Sequence, residues 1–318
     1  MSDVCSQRVA VVVAAASGAA QARAGLRAFA AELRGRGELV FVCREADVAM
    51  AEVTGPALAP ITVRASQAHL VPELWLEGYR ATDAPLVAFS TTAMSPRAGW
   101  LDALLETLVS TDAAAVGGPI APASYLAPFD RAVYLHRFAR YLPPISQHVF
   151  VDPPGENCLF RRDRLEQIES CFEKGFWEAD VHRHLRSHGD RLAMAAGAVV
   201  EFQGGAHRLA TWKQRVAHAQ LYAQSRMKHW TRAESLARAL FAPAVPAVLL
   251  ARIVRQLIAR REPLFHWLPA VPDLLLLLAA WSGAEAFELA RGVRSARSGS
   301  RQAVAPRNVS WPPLARSR

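Results

Sequence analysis

The sequence predicts an α/β fold with a mixed, mainly parallel sheet flanked by helices, followed by a C-terminal apolar helical hairpin. Short apolar runs alternate with segments of helical apolar spacing over residues 9–120, which is typical of βαβ units. Of the 318 residues, 52% are hydrophobic and 20% are charged, so the chain can bury a large core. Two longer apolar runs follow between residues 239 and 281 and predict the hairpin.

The first strand begins near residue 9, in a run of small apolar residues that extends to residue 20. This run superficially resembles the core of a secretory signal, but only Arg8 supplies positive charge and Asp3 precedes it. A helix follows, because four apolar residues recur at helical spacing: Leu26, Phe29, Ala30 and Leu33. The apolar run 38–43 then completes a strand–helix–strand unit, which predicts a parallel strand pair.

The same alternation continues as far as residue 120. The predicted strands are 59–64, 85–89 and 113–120, and the predicted helices are 71–81 and 96–108. Ligands of open α/β sheets bind outside the carboxyl ends of the strands. We therefore expect residues 43–47, 90–95 and 117–119 to converge on one cleft.

The segment 175–189 carries the strongest candidates for chemistry. Glu178 and Asp180 follow the aromatic pair Phe176 and Trp177 and precede a stretch of helical spacing. Unpaired backbone N–H groups at a helix start favour a carboxylate, and an apolar neighbour can make it a better base for a hydroxyl proton. From this segment alone, acidic residues that merely cap a helix are the alternative interpretation.

Arginine dominates the charge of the chain. The net charge is +9, and only three of the 37 basic residues are lysines. Such a balance favours anionic partners, whether phosphorylated substrates, acidic lipid head groups or nucleic acid. The cysteines are scattered without a Cys-x-x-Cys pair, which predicts free thiols in a reducing compartment: Cys5, Cys43, Cys158 and Cys171.

Several motifs follow one another in a recognisable order between residues 8 and 230. Two are strands, Val-Phe-Val at 40–42 and Pro-Leu-Val-Ala-Phe at 85–89. The others are a Pro-x-x-x-Trp-Leu helix start at 96–101, a Gly-Gly turn at 117–118 and an Asn-x-x-x-Arg-Arg segment at 157–162. Counting back from Gly189 through Leu185 leads to Glu178 and Asp180. This ordered set resembles a family 2 glycosyltransferase of the GT-A fold, with Glu178 at the position of the family's catalytic aspartate.

The resemblance implies an enzyme that transfers a sugar from a nucleotide-sugar donor to a hydroxyl of a lipid-linked or polysaccharide acceptor, with inversion at the anomeric carbon. Glu178 would remove the acceptor proton, and Asp180 would orient the acceptor or a neighbouring arginine. The implied acceptor-binding residues are Asn157, Arg161 and Trp177. The implied donor-binding residues are Glu45, Asp47, Ser90, Thr91, Thr92 and Arg215.

The chain departs from the family pattern at the donor side. The family's metal-binding Asp-x-Asp is replaced by residues 90–92, Ser-Thr-Thr, which are poor ligands for Mg²⁺ or Mn²⁺. Glu201 stands where the family often supplies a histidine. We therefore assign no metal ligand and leave the use of a divalent cation open. Two interpretations remain: a divergent transferase that neutralises diphosphate with arginines, or a catalytically inactive relative that binds a nucleotide-sugar, a glycan or a partner transferase.

The region beyond residue 235 differs in composition. Neither apolar run, 239–250 or 264–281, cleanly provides the roughly 20 apolar residues of a membrane span, and the connection between them is Arg-rich. This favours an interfacial or re-entrant hairpin on anionic lipid, with Trp267 and Trp281 at the boundary. A spanning hairpin and a soluble helical pair are the alternatives.

Three regions result from these observations. They are a glycosyltransferase-like domain, a membrane-associated helical segment and a basic disordered tail: residues 1–235, 236–292 and 293–318. No nucleic-acid-binding motif accompanies the arginines, so lipid is the expected anionic partner. We expect a peripheral or re-entrant location on the cytoplasmic face of the cell membrane; a scaffold whose α/β domain is only an interaction surface is the nonenzymatic alternative.

Overall fold

The computed structural model describes residues 7–16, 18–44, 61–65, 70–145, 152–173, 175–227 and 230–297. These residues divide into two compact units. The first consists of the described residues of 1–125 and 141–205, and the second of those of 126–140 and 206–312.

The strands all belong to the first unit. In chain order they are β1 (Val9–Ala14), β2 (Gly37–Arg44), β3 (Ile61–Ala65), β4 (Leu86–Thr91), β5 (Met94–Pro96), β6 (Ala115–Gly117), β7 (Ile120–Pro122), β8 (Cys158–Arg161), β9 (Leu192–Met194) and β10 (Val200–Phe202). A seven-stranded sheet has the order β3-β2-β1-β4-β8-β6-β9, and β8 alone among these strands runs antiparallel to its neighbours. The predicted mainly parallel sheet is therefore confirmed.

The helices occur in both units. Those of the first unit are α1 (Ala19–Leu33), α2 (Val71–Arg80), α3 (Trp100–Thr111), α5 (Arg162–Glu166) and α6 (Glu178–Ser187). Those of the second unit are α4 (Pro128–Phe138), α7 (Arg208–Met227), α8 (Arg232–Phe241), α9 (Val245–Ala259) and α10 (Val271–Arg297). Short 3₁₀ helices lie between some of them, including Gly155–Asn157, Ala242–Ala244 and Leu264–Ala270.

The central strand β1 shows why the strands of this sheet can be recognised in the sequence as apolar runs. Every residue of β1 is buried, because helices cover both faces of a parallel sheet, and a strand buried on both faces becomes a continuous apolar run. The helix before β4 packs through its buried face, which includes Leu74, Trp75 and Tyr79. Glu73 of this helix accepts a hydrogen bond from the backbone N–H of Leu70 at 2.9 Å and so caps its first turn.

The structure differs from the predicted elements between residues 94 and 122. The helix begins at Trp100 rather than at Pro96, because residues 94–96 form β5 and Gly99 has a φ of 80°. The predicted strand 113–120 is split into β6 and β7. A second sheet of order β5-β10-β7, which the sequence pattern did not predict, is formed by strands of only three residues each.

The second unit is helical, and α10 packs against α7, α8 and α4. Trp267 is buried and stacks on Tyr134, with ring centroids 5.8 Å apart. The predicted position of Trp267 at a membrane boundary is therefore wrong, because its ring anchors the 3₁₀ helix inside the unit. Two segments, Ala233–Ala259 and Leu264–Gly292, are long and apolar enough to cross a membrane by length and composition. The predicted fold class, including the C-terminal apolar helices, is confirmed.

Candidate active site

The carboxyl edge of the large sheet brings together the ends of several strands. Because β1, β2 and β4 are parallel, Ala14, Arg44 and Thr91 end at the same edge. Because β8 is antiparallel, its first residue, Cys158, reaches this edge, where it pairs with Phe89 of β4 and with the last residue of β6. The ends of β2, β4 and β6 thus meet at one edge, as the sequence predicts.

Two predicted donor-binding residues, Glu45 and Asp47, lie outside the described residues. The described part of this segment ends with Arg44, a partly buried residue at the carboxyl end of β2. Arg44 is a cation that the sequence analysis did not assign to the site. Its position directly after a buried apolar run is the signal that could have identified it.

Three buried hydroxyl residues lie at the carboxyl end of β4: Ser90, Thr91 and Thr92. The Ser90 hydroxyl donates to the backbone oxygen of Glu156 at 2.9 Å, and Thr92 Oγ1 accepts from the backbone N–H of Ala16 at the same distance. Two of the three hydroxyls thus hold neighbouring segments together. This use of the hydroxyls was not predicted, because their partners are distant in sequence.

These residues do not fit a divalent cation. Mg²⁺ and Mn²⁺ prefer carboxylate oxygens, and residues 90–92 offer only hydroxyls that lie inside the protein. Within the described part of the chain, no three His, Cys, Asp or Glu side chains are grouped so that they could hold a metal ion. Glu201, where the resembling family often has a histidine, instead binds Arg97, with Nε and Nη2 at 3.0 and 2.8 Å from Oε1.

Glu178 lies at the start of α6, and aromatic packing fixes that start against β4. Glu178 is partly buried, and the ring of Phe176, two residues earlier, packs on Phe89 with centroids 4.3 Å apart. Phe89 directly precedes Ser90 in β4. Burial, followed by the charge of Glu178, raises the pKa of the Cys158 thiol at the start of β8.

Trp75 and Gly155 lie between β4 and the first turn of α6 and contact both. Trp75 Nε1 donates to the backbone oxygen of Ser90 at 2.7 Å. A Cβ placed on Gly155 would lie 3.0 Å from two ring carbons of Trp75 and 3.3 Å from Cβ of Glu178. The absence of a side chain at Gly155 therefore lets Trp75 and Glu178 approach. Neither Trp75 nor Gly155 was predicted as a site residue.

Asp180 and Trp177 flank Glu178. Asp180 forms an ion pair with Arg183, one turn along the same helix, with Oδ1 and Nη1 2.9 Å apart. About a quarter of the aspartate side chain is exposed. Trp177 is partly buried and precedes the helix, after Gly175, whose φ of 136° suits glycine. Trp177, Glu178 and Asp180 thus lie at the first turn of α6, and Asp180 pairs with Arg183.

The histidines of α6 do not form a metal site. His184 Nδ1 lies 2.8 Å from the backbone oxygen of Asp180, and His188 Nδ1 lies 2.9 Å from that of His184. His182 is buried, and its ring stacks on Phe160. The spacing of four residues between His184 and His188 therefore gives hydrogen bonds to the helix backbone.

Asn157 is buried, and its whole amide is used within the protein. Its Oδ1 accepts from Trp100 Nε1 at 2.7 Å, and its Nδ2 donates to the backbone oxygens of Pro119 and Ala198 at 3.0 and 2.8 Å. At Gly118 an added Cβ would lie 1.8 Å from the Ala198 oxygen, so the loops meet here at their closest. These hydrogen bonds give Asn157 a structural role directly before β8, and both polar atoms of its amide are used within the protein.

Arg161 does not lie at the edge that holds Glu178. In β8 it pairs with Leu86, the first residue of β4, which is at the opposite edge of the sheet. Its Nε donates to the backbone oxygen of Ala113 at 3.0 Å. Arg162 next to it donates to the backbone oxygens of Ala84 and Thr82 at 2.7 and 2.9 Å. The predicted acceptor-binding role of Arg161 therefore has no support from its position.

Arg215 belongs to the second unit, where it lies on α7 in a buried basic cluster. Its Nη2 lies 3.5 Å from Nδ1 of His218. Burial, with the charges of Arg215 and Arg137, lowers the pKa of His136 to about 3, and the same causes lower the pKa of His218 well below its usual value. Both histidines are therefore neutral at pH 7.

We expect the free energy of unfolding to fall as the pH drops below 6.5. His136 takes up a proton in the unfolded chain near pH 6.5 but, when folded, only near pH 3, so acid favours the unfolded state. At pH 5 this costs about 2 kcal/mol for His136. Urea unfolding at pH 7.5 and 5 measures the loss, and the His136→Phe variant should lose less stability than wild type. An equal loss in both proteins would contradict the assignment.

Comparison with solved structures identifies the class of fold. PcManGT, a mannosyltransferase from Pyrobaculum calidifontis solved with GDP-Man and Mn²⁺, aligns with a TM-score of 0.51 at 17% sequence identity, over 92% of this chain and 88% of that one. A structure of S. aureus TarS 1–349 aligns with a TM-score of 0.45 at 10% identity, over 92% of each chain. No protein-family model matches the sequence, and no curated protein is significantly similar to it.

The chain thus has a glycosyltransferase fold. The resemblance to family 2 in particular stays a prediction from the motifs.

Proposed function

We propose that the protein is a glycosyltransferase that moves a sugar from a nucleotide-sugar donor to a hydroxyl of a lipid-linked or polysaccharide acceptor, with inversion. The observation that carries this proposal is the position of Glu178. Within a glycosyltransferase fold, this carboxylate begins a helix that is packed on the end of β4, at the carboxyl edge where α/β sheets bind ligands. The mannosyltransferase with the similar fold was solved with a nucleotide-sugar, GDP-Man, which supports a donor of this class.

In this mechanism Glu178 is the general base. Its carboxylate takes the proton of the acceptor hydroxyl while the acceptor oxygen attacks the anomeric carbon of the donor. The bond from that carbon to the diphosphate oxygen breaks, and the diphosphate leaves with the electron pair. Attack opposite the leaving group inverts the anomeric carbon. Trp177 offers an aromatic face to a sugar ring, and Asp180 holds Arg183 one turn along the helix.

The departing diphosphate needs positive charge. The mannosyltransferase was solved with Mn²⁺, but the buried hydroxyls of residues 90–92 do not suit such an ion. Arg44 at the end of β2 is the residue at this edge that we propose for the role, because a guanidinium donates several hydrogen bonds to phosphate oxygens. The transfer we propose therefore uses arginine charge, and a role for added cation is decided by the titration below.

A catalytically inactive relative is the second candidate. The observation that favours it is the missing Asp-x-Asp, because three buried hydroxyl residues replace the usual carboxylates. Such a protein would bind a nucleotide-sugar, a glycan or a partner transferase without turnover. An inactive relative that binds a nucleotide-sugar would resemble the first candidate in donor affinity, but it would form no glycosylated product.

Calorimetric titration with a panel of nucleoside diphosphates and nucleotide-sugars, with and without Mn²⁺, tests the proposal. We expect one nucleotide to bind with equal affinity in both conditions, and the Arg44→Gln variant to bind it about tenfold more weakly. Arg27→Gln, which removes an exposed arginine of α1, is the matched control and should bind like wild type. If no nucleotide binds in either condition, the transferase proposal is wrong, and only a relative that binds a glycan or a partner transferase remains. If binding requires Mn²⁺, the role of Arg44 is wrong.

A further inference from the structure

The long helix α10 turns its carboxylates toward the protein. Asp273 is 8% exposed, and its two oxygens lie 2.6 and 3.0 Å from Nη1 and Nη2 of Arg208 on α7. Glu288 is 3% exposed, and Oε1 accepts from Gln224 of α7 and pairs with Arg291, both at 3.0 Å. Asp273 and Glu288 of α10 thus face inward, where each contacts a residue of α7.

The opposite side of α10 is apolar and exposed. Leu275, Leu276, Ala279, Gly283 and Phe287 are all exposed and recur at intervals of about four residues, so they share one face. A helix face that contacts water normally carries polar and charged residues. The composition of this exposed face therefore suits contact with an apolar partner rather than with water.

The neighbouring elements extend this apolar character. Exposed apolar side chains occur on α8, on α9 and on the 3₁₀ helix Leu264–Ala270: Leu240, Phe241, Val248, Ile258, Phe265 and Leu268. Phe265 and Leu268 are 65% and 63% exposed and stand at the turn between α9 and α10. An open groove of about 460 Å³ also runs along α9, lined by five apolar residues and Arg255. We call these residues and the exposed face of α10 the apolar surface.

The charges beside the apolar surface are positive. Residues 235–261 contain five arginines and no Asp or Glu. Three of these arginines, Arg252, Arg255 and Arg261, are exposed on or directly after α9. An apolar surface flanked by arginines complements an anionic lipid bilayer, because the side chains enter the acyl boundary while the guanidinium groups bind the phosphates.

Length does not exclude a bilayer crossing, because Ala233–Ala259 and the 27 residues of α10 are each long enough for the hydrocarbon core of about 30 Å. The charges of these helices are what argue against it. Arg252 and Arg255 in the middle of α9 would lie in that core. The inner face of α10 is already occupied by the Arg208–Asp273 ion pair and the Gln224–Glu288 hydrogen bond with α7. The two segments therefore suit the plane of the membrane interface.

We propose that the apolar surface binds an anionic phospholipid bilayer in the interfacial plane, with Phe265 and Leu268 inserted into the acyl boundary. This inference is independent of the transfer reaction, because it rests only on residues of the second unit. It gives the protein a lipid surface as a partner whether or not it turns over a sugar.

Flotation of the full-length protein with phosphatidylcholine vesicles, with and without phosphatidylglycerol, tests the proposal. We expect binding to the mixed vesicles and little binding to phosphatidylcholine alone. The Phe265→Ser/Leu268→Ser variant should bind the mixed vesicles at least about tenfold more weakly, because it removes two inserted side chains. The Arg252→Gln/Arg255→Gln variant should lose a similar factor and should show a weaker salt dependence. Tyr125→Ser, which removes an exposed aromatic ring of the first unit, is the matched control.

Several outcomes would overturn the proposal. Equal binding of wild type and both double variants would show that the apolar surface is not the contact. Protein that stays in the vesicles after alkaline carbonate extraction would span the bilayer instead of lying in its interface. A dimer in solution that both double variants abolish, together with no vesicle binding, would assign the surface to a second copy. Circular dichroism checks that each variant is folded, and the substituted side chains are exposed, so we expect unchanged spectra.

Discussion

Replacing Glu178 by glutamine is expected to lower the rate of sugar transfer by about 10²–10⁴-fold, the usual contribution of a general base. Glutamine has nearly the same size as glutamate, so the packing around Gly155 and Trp75 is preserved. It cannot accept the proton of the acceptor hydroxyl. Donor affinity should change little, because the attack by the acceptor follows donor binding. Product formation at saturating donor and acceptor measures the effect on kcat.

Two further variants sharpen this experiment. Asp180→Asn leaves the base in place and removes the ion pair with Arg183, so it should lower the rate less than Glu178→Gln does. Glu178→Asp keeps a carboxylate but shortens the side chain by one methylene, and it should retain more activity than the glutamine variant. If Glu178→Gln turned over at the wild-type rate, Glu178 would not be the base. If wild type bound a donor without turnover, the inactive candidate would be supported.

The parallel strands could be predicted because both faces of the sheet are covered. Burial on both faces turns β1, β2 and β4 into apolar runs that stand out in the sequence. The helix that carries Glu178 could be predicted from its spacing and its acidic first turn. The three-residue strands β5, β7 and β10 could not, because a strand of that length shows no period.

The separation of Asn157 and Arg161 was in principle predictable. Four residues of strand span about 13 Å, so the two ends of β8 cannot both face one cleft. What the sequence lacked was the direction of β8, and its antiparallel pairing with β4 is what leaves Arg161 at the far edge. Arg215 illustrates a different limit. Its position after the last strand gave no sign that α7 belongs to a separate helical unit.

At Asn157 the role implied by the family resemblance and the role indicated by the structure differ. Trp100 and Asn157 belong to two motifs that resemble family segments, and in this structure they bind each other at 2.7 Å. A residue whose side chain holds loops together through hydrogen bonds to the backbone can also be part of a sequence motif. The two roles make opposite predictions for a substitution at Asn157.

Replacing Asn157 by leucine is expected to lower the free energy of unfolding by about 3–5 kcal/mol. The leucine leaves Trp100 Nε1 and the backbone oxygen of Ala198 without a partner, and each such buried group costs about 1–3 kcal/mol. The backbone oxygen of Pro119 loses one of its two hydrogen bonds and keeps the one from the N–H of Val200. Only an amide supplies one acceptor and two donors in this arrangement, so Asn157→Asp should also destabilise by bringing a carboxylate to the two carbonyl oxygens. Urea unfolding at pH 7.5 measures both effects.

Trp100→Phe is the control that removes a single hydrogen bond of the Asn157 amide. It should cost about 1–3 kcal/mol, less than Asn157→Leu, because the two bonds to Pro119 and Ala198 remain. An acceptor-binding role for Asn157 predicts the reverse pattern, in which Asn157→Leu raises the KM for the acceptor and leaves stability unchanged. Unfolding and acceptor kinetics on the same variants therefore decide between acceptor binding and a structural amide as the reason why asparagine stands directly before β8.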